Sequence, residues 1–189
     1  MKMPVENVVY FERPGEANTD EALKVALNYA KIHGVHNIVV ASTRGSTALK
    51  AASMFQGFNL VIVTHESWFR KDRMQEFSEE AKRKLESMGV KVVTAAHAFR
   101  GVGRSFRDKY GGALIGDVIA DTLKLFCEGV KVCVEIVLMA ADAGQIPIDR
   151  DVLSVAGTGR GADTVLLIKP STSAMFHNLR IRKILAKPL

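Results

Sequence analysis

Asn37-Ile38-Val39-Val40-Ala41-Ser42-Thr43-Arg44-Gly45-Ser46-Thr47-Ala48 decides how this chain is read. The first five residues form a short apolar run with β-branched side chains, which favour extended backbone. Residues 46–55 then carry apolar positions at helical spacing, so a strand is predicted to pass through Ser42–Gly45 directly into a helix. The same unit recurs downstream. Leu60-Val61-Ile62-Val63-Thr64 reads as a second strand, and Asp72 with Gln75 reads as the capping box of a helix. That helix carries Met74, Phe77, Ala81, Leu85 and Met88 on its apolar face and stops at Gly89. Val90-Lys91-Val92-Val93-Thr94 is the third strand. Upstream, Asn18 as N-cap with Glu21 three residues on opens a helix that Gly34 closes, its apolar face spaced by Leu23, Ala26, Leu27 and Ala30.

Strands alternating with helices are βαβ crossovers, which are right-handed and give a parallel sheet covered on both faces. The expected fold is therefore α/β, a three-layer α/β/α sandwich around a mainly parallel, doubly wound sheet. Phe99 to Tyr110, with its basic residues and two glycines, reads as a loop leading to a helix from about Gly112 to Glu128, ended by Gly129. Val132 to Ala143 reads as a buried helix stopped at Gly144. Val152–Ala156 and Thr164–Lys169 are two further strands joined by a glycine loop, and the tail from Arg180 is extended or helical.

The 189 residues fit one domain, 1–189, long enough to bury a core without disulfides or metal. A hydrophobic share of 48% with 24% charged residues is that of a globular chain. The longest apolar run, Val130 to Ala143, is broken by Lys131 and Glu135, so no membrane span is expected. Met1-Lys2-Met3-Pro4-Val5-Glu6 lacks the apolar stretch of a secretion signal, which points to the cytoplasm. Cys127 and Cys133 match neither a redox pair nor a zinc knuckle and read as buried thiols. The net charge of +6 favours anionic partners. It is scattered apart from Arg70-Lys71-Asp72-Arg73, Lys82-Arg83-Lys84 and the Arg180–Lys187 tail, so nucleic acid is not the expected partner. A homo-oligomer is left open.

The strongest constellation is Ser42-Thr43-Arg44-Gly45-Ser46-Thr47. At a helix N-terminus, unpaired N–H groups and the helix dipole favour an anion, and hydroxyls, a guanidinium and a glycine are what a phosphate needs. Simple capping of the helix by Ser or Thr is the alternative. Gly157-Thr158-Gly159-Arg160-Gly161-Ala162 formally fits a dinucleotide fingerprint after a strand, but the apolar run from Val165 begins too soon for the helix that fingerprint requires. A hairpin-like turn or an anion-binding nest remains. Thr64-His65 and Ala96-His97 each end a predicted parallel strand, so both imidazoles are expected in the crevice of the Thr43 loop, as ligand contacts or as turn caps. Arg100, Arg104 and Arg107 are candidates to close over an anion, or a solvated basic loop. Ser105 has no evident base. Glu135, inside an apolar helix with Asp142 two turns on, is a catalytic candidate if its carboxylate is buried, but with Lys131 at i−4 it reads more simply as an ion pair on a partly solvated face. Trp68 and Phe69 read as packing residues that also suit stacking on an aromatic ligand.

Residues 18–23, then 37–48, then 60–64, resemble the C-terminal α/β domain of pyruvate kinase. The whole chain is similar to stand-alone archaeal proteins described as pyruvate kinase α/β domain-like. In pyruvate kinase that domain is regulatory, and its Ser/Thr-rich strand-loop-helix holds a phosphate of a sugar bisphosphate; Ser42, Thr43, Gly45, Ser46 and Thr47 occupy the matching positions. The resemblance does not imply pyruvate kinase activity, because no segment supplies the catalytic barrel. The stand-alone group is associated with flavin mononucleotide (FMN), so the resemblance implies FMN as the ligand, with its phosphate at 42–47 and its remainder toward Thr64, His65, His97, Arg104 and the 157–161 loop. A redox enzyme would expose the flavin ring to a substrate. The alternative is a regulatory or interaction module that binds a sugar phosphate or a partner chain without flavin.

Overall fold

A computed structural model of the chain describes residues 7–70 and 72–189. The Met1–Glu6 stretch read above for a leader, and Lys71 of the first basic cluster, lie outside the described residues. In chain order the elements are β1 (Val9–Phe11), α1 (Thr19–His33), β2 (Asn37–Ala41), α2 (Ser46–Met54), β3 (Asn59–Val63), α3 (Glu79–Ser87) and β4 (Lys91–Val93). They continue with α4 (Gly101–Tyr110), α5 (Ile115–Lys124), α6 (Glu128–Asp142), β5 (Val152–Ala156), β6 (Thr164–Lys169) and β7 (Arg180–Pro188).

The strands form one sheet in the order β1-β7-β6-β5-β2-β3-β4. β5, β2, β3 and β4 run parallel, as do β1 and β7, while β6 is antiparallel to both of its neighbours. Alternation along the strands divides the core into two layers, because successive side chains leave a strand on opposite faces. Ile38 and Val40 of β2 pack with Ala22, Leu23 and Ala26 of α1, Ala48 and Ala51 of α2, and Leu85 of α3. Val39 between them packs with Val134, Val137 and Leu138 of α6 on the other face, where Ala120 of α5 also sits. Since β2 is buried on both faces, it reads as a continuous apolar run. The three-layer expectation therefore holds, and the carboxyl ends of β2, β3, β4 and β5 come together at one edge.

Several local expectations are corrected. Asn18 precedes α1 but its side chain donates to Arg13 O, so it makes no capping box. Asp72 and Gln75 do not start a helix: α3 begins after Ser78, whose hydroxyl accepts from the Ala81 N–H. Gln75 instead accepts from the N–H groups of Glu76 and Phe77 and donates to His65 O. Residues 101–110, expected as a loop, form α4, whose intrinsic propensity is lowered by Gly101 and Gly103. The helix expected over 112–128 is α5, which is shorter. Gly129 lies inside α6 rather than ending the preceding helix, and it is Gly because a Cβ would lie 2.0 Å from Thr164 Oγ1. The Arg180 tail is the strand β7, paired with β1 and β6. Cys133 is buried, as expected, but Cys127 is half-buried, with its thiol 3.4 Å from Thr164 Oγ1. None of the described helices is long and apolar enough to cross a membrane.

Candidate functional site

A cavity of about 1040 Å³ opens at the carboxyl edge of β2, β3, β4 and β5. Its first wall is the turn from β2 into α2. Ser42 is buried there and its Oγ accepts from the N–H groups of Gly45 (3.2 Å) and Ala48 (3.3 Å), which closes the turn and satisfies one amide of the first helical turn. Among the described residues, the amides of Thr43, Arg44, Ser46 and Thr47 donate to nothing, and the hydroxyls of Thr43, Ser46 and Thr47 make no hydrogen bond. Four free N–H groups at the positive end of α2 form a cradle with the chemistry to accept an anion. Arg44 stands exposed beside it, and Arg160 reaches the same cavity from the 157–161 loop. Among the described residues neither guanidinium makes an ion pair.

The inner end of the cavity is a network of ionisable groups. His65 Nδ1 lies 2.9 Å from Glu76 Oε2, while Arg70 Nε donates to Glu76 Oε1 at 3.0 Å. Burial pushes the Glu76 carboxyl up, but the hydrogen bonds and charges of His65 and Arg70 outweigh it and hold the group below the usual carboxylate value. The His65 ring lies tilted against Phe69, centroids 4.1 Å apart, and meets His97 edge-on at 5.5 Å. His97 is buried; its N–H donates to Glu66 Oε2 at 3.2 Å, and its Nε2 accepts from the Glu66 N–H at 3.3 Å. Burial, opposed by the Glu135 and Glu66 charges, holds this imidazole below its ordinary pKa. From α6, Glu135 pairs with Lys131 and its Oε1 accepts from the Phe99 N–H at 3.2 Å.

The family model of the pyruvate kinase alpha/beta domain matches residues 20–168, which is well over half of the chain. The chain belongs to the pyruvate kinase alpha/beta domain family. The matched span holds the cradle, both histidines and the glycine loop.

Of the residues singled out in the sequence of this pyruvate kinase alpha/beta domain, Ser42, Thr43, Arg44, Ser46, Thr47, Thr64, His65, His97, Gly157, Gly159, Arg160 and Gly161 line the one cavity. Three do not. Gly45 is turned toward α3: its φ is 110°, and a Cβ would lie 2.6 Å from Ala81 Cβ, so packing and backbone conformation demand the glycine. Thr158 is not part of the lining, and its amide donates to Asp163 Oδ2 at 3.1 Å. Arg104 lies on α4, where it pairs with Asp108. Two of the other basic residues, Arg100 and Arg107, do reach the cavity; the first sits over the Phe69 ring and the second pairs with Asp117. The Thr64 hydroxyl, 2.7 Å from Thr94 Oγ1, is engaged within the sheet edge.

Glu135 and Lys131 form the pair that the sequence led one to expect, in a different setting. Rather than a pair on a partly solvated face, they are buried, with side chains 4% and 11% exposed, and they line the cavity. Their i,i+4 spacing signalled the pair, but only the docking of α6 against β2 and β3 turned that face inward. Glu76, buried beside His65, had no sequence signal, because its strand-end loop makes no regular element. Trp68 is exposed with φ 61°, whereas Phe69 packs against both histidines and lines the cavity.

Proposed function

We propose that this chain is a small-molecule binding protein that holds a phosphorylated ligand, FMN foremost, with the phosphate at the amides of Thr43, Arg44, Ser46 and Thr47. The observation that carries the reading is that, among the described residues, the N–H groups of four cavity-lining residues donate to nothing, beside two guanidiniums without an ion pair, Arg44 and Arg160. A dianion there replaces water on donors that the fold leaves free, and charge-assisted hydrogen bonds are the stronger class. The volume suits a nucleotide-sized ligand, since ligand cavities run to roughly 300–1,000 Å³. Beyond the cradle, Phe69, Phe99, Val132, Ile136 and Met139 supply apolar wall for a flat ring such as the isoalloxazine. A sugar phosphate offers the same anion without the ring.

The chemistry of the phosphate ester is thus common to both ligands, and a spectrum separates them. The purified chain is expected to carry or take up FMN with visible absorbance and quenched flavin fluorescence. A chain that remains colourless and binds a sugar phosphate but not FMN would assign the site to the second ligand. Binding of neither FMN, sugar phosphates nor inorganic phosphate would overturn the phosphate reading.

A further inference from the structure

Helix α4 is inverted relative to the body of the fold. An amphipathic helix ordinarily turns its apolar stripe inward and its charges to water. α4 instead sets Gly103 against Leu114, where a Cβ would lie 3.1 Å from Leu114 Cδ1, and pairs Arg107 with Asp117. Its apolar side chains, Val102, Phe106 and Tyr110 at i, i+4 and i+8, stand in solvent, and none of its ten residues is buried. A short helix with two glycines draws its stability from packing a face, and in the single chain α4 buries none.

Helix α5, tied to α4 through the Arg107–Asp117 pair, carries a second such stripe. It buries Ala120 and half-buries Ile119 and Leu123 in the layer of α6, so at 3.6 residues per turn Ile115, Val118 and Leu125 fall on its outward side, with Phe126 just beyond. These seven side chains are 52% to 84% exposed, and elsewhere among the described residues the exposed large apolar side chains are scattered. At roughly 150–250 Å² for a fully bare large side chain, these fractions amount to roughly 900 Å². The largest apolar patch of a typical monomer is about 300–600 Å², whereas about 800 Å² from each partner makes a standard stable interface.

Charge identifies the occupant. α4 carries Arg104, Arg107 and Lys109 against Asp108, whereas α5 and the residue that opens α6 carry Asp117, Asp121 and Glu128 against Lys124. A surface with a basic half and an acidic half is complementary to itself, since a two-fold axis lays each half on the other. We propose that α4 and α5 form a dimer face, with α4 of each copy packed on α5 of the other and the aromatic pair Phe106 and Tyr110, rings 6.0 Å apart, as its anchor. The partner copy then borders the mouth of the cavity, whose lining includes Arg107, Asp117 and Lys124 of this same face. The dimer face does not depend on the phosphate reading.

The test is sedimentation equilibrium of the full chain over a range of micromolar concentrations. A species of twice the 20.7 kDa chain is expected, dissociating at about 1 μM or below. Phe106→Glu combined with Val118→Glu is expected to weaken dimerisation at least about a hundredfold, because the interface would bury carboxylates without partners. Ile32→Glu, at a comparably bare apolar position on α1, is expected to leave it unchanged. All three positions are exposed in the single chain, so folding should hold, and Leu125→Glu serves if the paired variant does not fold. A chain that stays monomeric throughout this range would overturn the dimer face. So would a dimer that survives whichever of the α4 and α5 variants folds, or one that Ile32→Glu dissociates as strongly. Each of these outcomes leaves the phosphate cradle standing.

Discussion

Two glycine-bearing loops meet at the same edge of the sheet, and the fold anchors them in different ways. In the 157–161 loop the amides of Thr158 and Arg160 are taken, while among the described residues those of Gly157, Gly159 and Gly161 donate to nothing; what holds the loop are the residues just after it. Asp163, fully buried, accepts from the amides of Gly15 and Thr158 and from the Thr164 hydroxyl, at 2.8, 3.1 and 2.7 Å. Thr19 Oγ1 accepts from the Ala162 amide, and a Cβ on Gly161 would lie 2.4 Å from that same hydroxyl. In the 42–47 loop one buried hydroxyl, Ser42, takes two amides and leaves four free. The first loop is a joint tied from outside, through Asp163 and Thr19, to the start of α1; the second is tied from within, by Ser42 alone. A glycine-rich motif at a strand end therefore carries no ligand meaning until its amides are accounted for.

The largest effect that would sharpen the contrast is expected at Asp163. Asp163→Ala removes the acceptor of three buried or half-buried donors and should lower stability by at least about 3 kcal/mol, read as a shift in the denaturant midpoint. A midpoint unchanged within error would mean that the 157–161 loop is not held as described. Next comes Gly45→Val. Its φ of 110° and the 2.6 Å approach to Ala81 predict a loss of roughly 2 kcal/mol or more by the same measurement. Any loss of binding in this variant follows from displaced backbone, so a fully stable Gly45→Val would contradict the packing role given to this glycine.

Arg44→Glu acts on the other side of the comparison. It sets a carboxylate beside the cradle at an exposed position, so affinity for FMN or phosphate should fall at least about tenfold while stability stays within about 0.5 kcal/mol. Unchanged affinity would remove Arg44 from the site.

The smallest effect is a pH dependence. The folded chain holds His97 below its ordinary value near 6.5, so between those two values the unfolded chain binds more protons. The neutral ring's contribution to stability is complete above about pH 6.5 and shrinks as pH falls, with a slope of at most about 1.4 kcal/mol per pH unit for one proton. The groups facing it, Glu135, Glu66, His65 and Lys131, set the size of the effect. Glu76, whose folded value is lowered, adds a loss at more acidic pH. Chemical denaturation at pH 7 and pH 5.5 checks the sign; a chain more stable at pH 5.5 would contradict the neutral assignment of His97.

The layers of the fold and the free amides of the 42–47 turn were legible in the sequence because they rest on local signals. β2 and β3 are β-branched runs, α1 and α6 carry long apolar periodicity, and a strand running through Ser-Thr-Arg-Gly into a helix places amides at a sheet edge. What was not legible depends on contacts distant in sequence. β1 is three residues long and exists by pairing with β7 at the far end of the chain. α4 carries two glycines against its helicity. Glu135 and Lys131 have the spacing of a surface pair, and only the position of α6 over the strand ends makes them cavity groups.

The most direct test of the central claim is an amide-resolved NMR titration of the unmodified chain with FMN. The account predicts saturable shifts concentrated at the amides of Thr43, Arg44, Ser46 and Thr47, with the amides held by Asp163 and Ser42 moving far less. Saturable binding that leaves those four amides unmoved would contradict it.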